Sequence, residues 1–291
     1  MKAIVCGSTG FIGSALVTML DAAGADVLAI GGSKTLDLRG RFACDIAVGA
    51  MVDADVVYIC AGVSGGSGII DKDPLSLVTP NILIHTHMFD ACKRAGVPKV
   101  VCLSSTTGYP DTDLPMSEED YFTGELHGAY FNPGHTRRFI ERLGAMYPQQ
   151  NVVFMRPSVV YGPGDNYDLE TCHVIPALVR KVAERQNPIT IWGDGWNWRD
   201  GVYIDDVARA LVLAAKAPAG AYNLASGGGM TVLDMALHLA KHAGIIPFAV
   251  KHDMSKPSML KKRVLAIDKA KRVMGWEPTV LMENGLIRTL E

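Results

Sequence analysis

The chain has 291 residues, 48% of them hydrophobic and 20% charged, with a formal net charge of -2 and a pI near 6.4, a balance that suits one large globular core or two domains. It lacks the basic stripe of a phosphate-backbone reader, which argues against a nucleic-acid partner. Its apolar runs are too short for a membrane span, and glycine breaks the stretch after Lys2 too early for a signal peptide, so a cytoplasmic protein with no membrane partner is expected.

Residues 2–6 read as a strand. Gly7, Gly10 and Gly13 then form a Gly-x-x-Gly-x-x-Gly turn, and residues 14–23 follow with apolar positions at helical spacing. In such a strand–turn–helix unit the first glycine permits the tight turn, the second lets backbone approach a diphosphate, and the third lets helix pack on strand, while free helix N–H groups face the anion. Residues 25–30 are the second strand. At its end, where an acid would hold the ribose hydroxyls of NAD, stand Ser33 and Lys34, which suit the extra phosphate of NADP.

Asp45 and Ile46 follow a short segment, and residues 55–60 form a buried strand ending at Ala61 and Gly62. The run 63–68 is too glycine-rich for regular structure and reads as a mobile loop beside the cofactor. An amphipathic helix over 81–95, starting at Asn81, stops at Gly96 and Pro98, and residues 100–103 are a strand running into Ser104 and Ser105. Residues 111–128 are acidic and turn-rich. Tyr130 leads into a helix through Leu143, with Pro133 displacing its start, and residues 151–157, ending at Arg156 and Pro157, are another strand. A helix carrying polar groups at its entry is expected over 170–180. Strands alternating with helices predict an α/β protein with a doubly wound, Rossmann-like parallel sheet and ligands at the strand C-terminal ends. The rhythm loosens after 164, which predicts a dinucleotide-binding domain of 1–164 plus about 200–225, and a smaller discontinuous substrate lobe of about 165–199 plus 226–291. The six cysteines, Cys6, Cys44, Cys60, Cys92, Cys102 and Cys172, are scattered without metal-ligand spacing and read as free thiols.

Taken together, the glycine turn, Ser104 and Ser105 before Tyr109, Tyr130, Arg156 and Pro157, Tyr161-Gly-Pro-Gly-Asp-Asn166, Arg199 and Asp200 with Tyr203 to Asp206, and Tyr222 to Ser226 resemble the extended short-chain dehydrogenase/reductases that act on nucleotide sugars. His173 to Leu178, Lys256-Pro257 and Gly275-Trp276 look most like the GDP-fucose synthase branch, which epimerises and reduces a 4-keto-6-deoxy sugar with NADPH. The resemblance implies that Gly7, Gly10 and Gly13 hold the pyrophosphate, that Thr9, Phe11 and Ile12 in the same turn also bind the cofactor, and that Ser33 and Lys34 meet the NADP phosphate, with NAD as the alternative coenzyme. It further implies that Asp45 and Ile46 meet the adenine, and that Ala61, Gly62, Asn81 and Pro157 line the cofactor path. Ser105 and Tyr130 would be catalytic, the phenol giving a proton to the C4 oxygen as hydride arrives. Thr107, Asn166, His173 and Arg199 would contact the nucleotide sugar, with Arg199 on its diphosphate. A homodimer through the helices near 81–95 and 130–146 is a further expectation.

Two positions depart from the family pattern. The family tyrosine is followed four residues later by a lysine that lowers the phenol pKa and bonds the nicotinamide ribose, and here that position is Gly134. His135, Arg137 or Arg138 is then the candidate source of positive charge, since a phenol with no cation beside it is a sluggish proton carrier near neutrality. Thr107 replaces a cysteine that, with the histidine matched by His173, moves protons at C3 and C5 in the fucose branch, and a threonine hydroxyl is too weak an acid or base for that. Two readings follow: an NADP-linked reductase or C4 epimerase, or a catalytically impaired dinucleotide-binding sensor or assembly protein of the same fold.

Overall fold

The computed structural model describes residues 1–32, 36–147, 151–256 and 260–291. The first half runs β1 (Lys2–Cys6), α1 (Phe11–Ala22), β2 (Asp26–Ile30), α2 (Arg41–Met51), β3 (Val56–Ile59), α3 (Ser67–Lys72), α4 (Thr79–Arg94), β4 (Val100–Leu103), α5 (Phe131–Ala145) and β5 (Val152–Pro157). There follow β6 (Val159–Tyr161), α6 (Val174–Ala183), β7 (Ile189–Trp192), β8 (Trp198–Arg199), β9 (Gly201–Tyr203), α7 (Ile204–Ala214), β10 (Gly220–Leu224), β11 (Met230–Thr231), α8 (Val232–His242), β12 (Val250–Asp253), α9 (Asp268–Met274) and α10 (Met282–Leu290).

Six strands form one sheet in the order β10-β5-β4-β3-β1-β2, and every neighbouring pair is parallel. The strands are almost continuously apolar because both faces are covered, as in a doubly wound fold. Side chains alternate between two cores. Ile4, Val57, Val100 and Phe154 pack on one face with Met51 of α2, Met88 and Phe89 of α4 and Ile140 of α5. Val5, Tyr58, Val101 and Met155 pack on the other with Leu16 and Leu20 of α1, Leu211 of α7 and Trp276. A third core joins α6, α8 and α10 through Ile175, Leu178, Met235, Leu239 and Leu286. The strand order reverses between β1 and β3, and the crevice at that reversal is where ligands of such sheets bind. Among the described residues no helix is long and apolar enough to cross a membrane.

Three local expectations change. The glycine-rich run after Gly62 is not loop to its end, since α3 begins at Ser67. Helix α5 is not displaced by Pro133: it begins at Phe131, and Pro133 sits in the first turn, where its missing N–H would have had no helical partner. Asp45 and Ile46 lie in the middle of α2 instead of in a connecting segment. The buried residues Cys44, Ala47 and Met51 of α2 recur at helical spacing, and Asp45 and Ile46 stand off that face.

Candidate active site

At the end of β1 the glycine turn is held by contact. Gly7 has φ +86°, and a Cβ there would lie 2.6 Å from the Ala61 nitrogen, while one at Gly13 would overlap the Gly7 carbonyl. Gly10 caps α1 with no side-chain hydrogen bond, and the first turn has no acidic residue, so its N–H groups open toward an anion without a competing carboxylate. A dinucleotide fits this cradle by close backbone approach. Thr9 borders the end of β2, its Oγ1 lying 2.8 Å from where a Cβ on Gly32 would be. Ser33 and Lys34 lie outside the described residues.

Asp45 and Ile46 do not join this cradle. The Asp45 carboxylate accepts from Arg94 Nη1 of α4 at 2.7 Å, which holds it below the usual carboxylate range, and Ile46 is 45% exposed. The predicted adenine contact is therefore corrected: a side chain on the outer α2–α4 surface does not face the sheet's C-terminal edge.

On the other side of the glycine turn, Ala61 and Gly62 meet Asn81. Its amide donates to Leu77 O at 2.6 Å and Val63 O at 2.9 Å and accepts from Val63 N at 3.1 Å, so it ties down the loop that follows β3. Gly66 N donates to Thr171 O at 2.9 Å, and a Cβ at Gly66 would overlap the Cys172 carbonyl. This contact brings the entry of α6 against the coenzyme side of the cleft. His173 caps α6 with no side-chain cap bond, and although much of its surface is open to the cleft, the surrounding protein desolvates the imidazole and holds it below its ordinary pKa. Asn166 is used locally, donating to Thr171 Oγ1 at 2.8 Å and accepting from Asp168 N at 3.0 Å. Beside it, burial raises Asp165 to about 6, and its Oδ2 is buried without a partner among the described residues.

The catalytic candidates sit beyond β4. Ser105 Oγ accepts from Thr107 N at 3.2 Å and Thr107 Oγ1 at 3.1 Å, leaving its own proton free to donate outward. Thr107 thus orients Ser105. Tyr130 ends a 3-10 turn, Gly128–Tyr130, and caps α5. Because it precedes the helix, Tyr130 and Gly134 are not separated by one regular α-turn, as the sequence register assumes. Arg263 donates to Thr106 O at 2.8 Å and stacks 5.0 Å from the centre of the Tyr130 ring. Its Nε and Nη2 are buried without partners among the described residues, and burial lowers its pKa. Arg199 donates to Trp198 O at 2.9 Å and Leu260 O at 2.8 Å, and its charge also feels Tyr130. Pro157 ends β5, opposite Leu224 of β10.

Arg263 escaped the sequence reading because Lys261 and Lys262 beside it look like a solvated charge run. The one available signal was its flanks, Leu260 and Leu265, both of which are buried.

The place of the missing lysine is filled by packing. A Cβ at Gly134 would lie 2.5 Å from Thr107 O and 2.7 Å from Leu126 Cδ1. Gly134→Lys is therefore expected to lower stability by about 1–3 kcal/mol in a urea titration without raising turnover. A variant with wild-type midpoint and faster turnover would show that α5 can withdraw from Thr107. Of the three candidate cations, His135 is exposed with its ring 4.6 Å from that of Phe131. Arg138 is spent on carbonyls, Nε on Gly108 at 2.8 Å and Nη2 on Thr123 at 2.7 Å. Arg137 turns inward to Gly62 and Asn81.

The model of the NAD-dependent epimerase/dehydratase family matches residues 3–225. The chain is 28% identical over 302 residues to GDP-L-fucose synthase of Sinorhizobium fredii, spanning 99% of this chain and 93% of that protein. It is also 28% identical over 305 residues to dTDP-4-dehydro-6-deoxy-D-allose reductase of a Streptomyces species, spanning 96% of this chain and 92% of that one. Among solved structures, UDP-glucose 4-epimerase of Thermus thermophilus in complex with NAD is similar with a TM-score of 0.84 and 26% identity, covering 100% of this chain and 98% of that one.

Proposed function

The chain belongs to the NAD-dependent epimerase/dehydratase family, and from that premise we propose that it is an NADP-dependent oxidoreductase or epimerase acting at C4 of a nucleotide-activated 4-keto-6-deoxy sugar, with NAD as the alternative coenzyme. When bound, the coenzyme delivers hydride to C4 or withdraws it. The chain's own part is to bind, orient and move the proton. Tyr130 gives its phenolic proton to the C4 oxygen as the carbonyl becomes an alcohol, and takes one back in the reverse sense. Ser105, its lone pairs engaged by Thr107, keeps its proton and donates a hydrogen bond to the same oxygen, fixing the face presented. Arg199 and Arg263 supply charged donors to the substrate's diphosphate.

The observation that carries this reading is Arg263: two buried guanidinium nitrogens without a partner among the described residues, on a side chain stacked on Tyr130 and bonded beside Ser105. Buried donors of this kind cost about 1–3 kcal/mol each until an acceptor arrives, so the cleft is built for an oxygen-rich anion.

The test is a thermal-shift panel of NAD(H), NADP(H) and GDP-, dTDP- and UDP-sugars, followed by reduced-nicotinamide turnover with each hit. Stabilisation by both a coenzyme and a nucleotide sugar, with turnover, is expected. The absence of a lysine at position 134 favours a second reading, a dinucleotide-binding sensor or assembly protein, which predicts stabilisation by coenzyme alone. The reading is completed by a cytoplasmic homodimer through α4 and α5, whose exposed Leu83 and Phe139 are apolar.

A further inference from the structure

We propose that Arg137 is the coenzyme-contacting cation of this site, bonding the sugar hydroxyls on the nicotinamide half of the dinucleotide. The proposal rests on the coenzyme reading above and assigns one residue within it. Arg137 stands one turn beyond Gly134 on the same face of α5, three residues on. Side chains of a helix lean toward its N-terminus, so a long side chain at 137 covers the patch over the preceding turn. The place a side chain at 134 would take is itself occupied by Thr107 O and Leu126 Cδ1, so on this face of α5 the cation comes from Arg137 and not from position 134.

The guanidinium arrives with little to hold. Its one hydrogen bond among the described residues is from Nη2 to Asn81 Oδ1 at 3.4 Å, and that oxygen already accepts from Val63 N at 3.1 Å. Nη2 also lies 3.5 Å from where a Cβ on Gly62 would be. No carboxylate among the described residues pairs with it, because the nearby Glu141 is spent on Arg156 and Ser104. A guanidinium has five donors, and a charge withdrawn from water needs polar partners. The bound molecule therefore has to bring oxygen acceptors.

Position decides which half of the molecule they belong to. The glycine turn at β1 takes the pyrophosphate, and a dinucleotide lies across the strand reversal. β2 is on one side of β1 and β3 on the other. Gly62 follows β3, and Arg137 also feels Cys102 in β4, so it lies on the β3–β4 side, away from the adenosine half at β2. Its oxygen partners there are sugar hydroxyls, for which a charged donor is worth more than a neutral one.

The experiment measures dissociation constants of NADPH and of 2′,5′-ADP, which lacks the nicotinamide half, for the wild type, Arg137→Gln and Arg137→Lys. The expected result is an NADPH affinity about tenfold weaker in Arg137→Gln, unchanged 2′,5′-ADP binding, and recovery to within about threefold in Arg137→Lys. Equal loss of both ligands, or loss of neither, overturns the assignment. In the wild type, phenylglyoxal labelling of Arg137 read by mass spectrometry gives a measurement independent of whether the variants fold. Slowing by NADPH and not by 2′,5′-ADP is expected, and slowing by neither or by both equally overturns the proposal. A wild type that binds neither ligand, and does not bind NADH, overturns the coenzyme reading itself, whereas one that binds both while Arg137→Gln changes neither overturns only this inference.

Discussion

Tyr130→Phe is expected to lower kcat by about 10²- to 10⁴-fold, the range for loss of a positioned acid–base group, while leaving the NADPH dissociation constant within about twofold. The substitution removes one oxygen and keeps the ring on which Arg263 stacks. No described residue hydrogen-bonds the phenolic oxygen, so the fold loses no contact with it. Stopped-flow measurement of NADPH oxidation with the substrate identified by the ligand panel separates the outcomes. Unchanged turnover would remove Tyr130 from the reaction and leave Ser105 and bound water as the only proton carriers. Weakened NADPH binding would show that the phenolic oxygen itself contacts the coenzyme.

Glu141→Gln is expected to cost about 3–5 kcal/mol of folding stability, the effect of breaking a buried ion pair by removing one partner. The Arg156 guanidinium is held bidentately along one edge, Nη2 to Glu141 Oε2 at 2.6 Å and Nε to Oε1 at 2.9 Å, and the two side chains are 2% and 3% exposed. Ser104 donates to the same carboxylate at 2.5 Å. Arg156 Nη1 donates to the Tyr109 hydroxyl at 3.1 Å and to Glu118 O at 2.9 Å, and Tyr109 donates in turn to Asn223 in β10. One face of the guanidinium covers Tyr121, 3.7 Å from its ring centre. Neutralising Glu141 leaves the arginine charged and buried. Replacing the pair together, as Glu141→Leu with Arg156→Met, is expected to recover much of the loss, because an apolar pair of similar volume removes both desolvation costs. Urea titrations of the single and double variants measure this directly. A single-variant loss under about 1 kcal/mol would show that water reaches the pair.

This network matters to the site because the Tyr121 hydroxyl donates to the Ser105 carbonyl at 3.0 Å and approaches Ser104 Oγ at 3.3 Å. The backbone that carries the proposed catalytic hydroxyl of Ser105 is thus fixed from behind by a buried polar cluster spanning the end of β4, α5, β5 and β10. Such fixing holds reacting groups in place through the second layer of contacts. Arg156 and Pro157 stand out in the sequence as a pair at a strand end, but nothing in the spacing from Glu141 to Arg156 says that they meet.

The sequence alone determined the β1–glycine turn–α1 unit, the alternation that makes the parallel sheet, and the positions of Ser105 and Tyr130 beyond the sheet's C-terminal edge. These depend on local rules: strand runs apolar on both faces, helical periodicity, and glycine where backbone must come close. It misjudged what turns on the neighbours of a single side chain. Asp45 was assigned to the coenzyme by its order in the chain, and the face of α2 sends it to Arg94 instead. Gly134 looked like a deleted function, and the approach of Thr107 makes it a packing position. Arg137, Arg138 and Arg263 are indistinguishable by spacing, since a long cation bears the same signature whether it ends in water, on carbonyls or in a cleft. Only the tertiary structure chose among them, because the end of such a side chain lies several ångströms from its backbone and its energy is set by the dielectric and the partners it finds there.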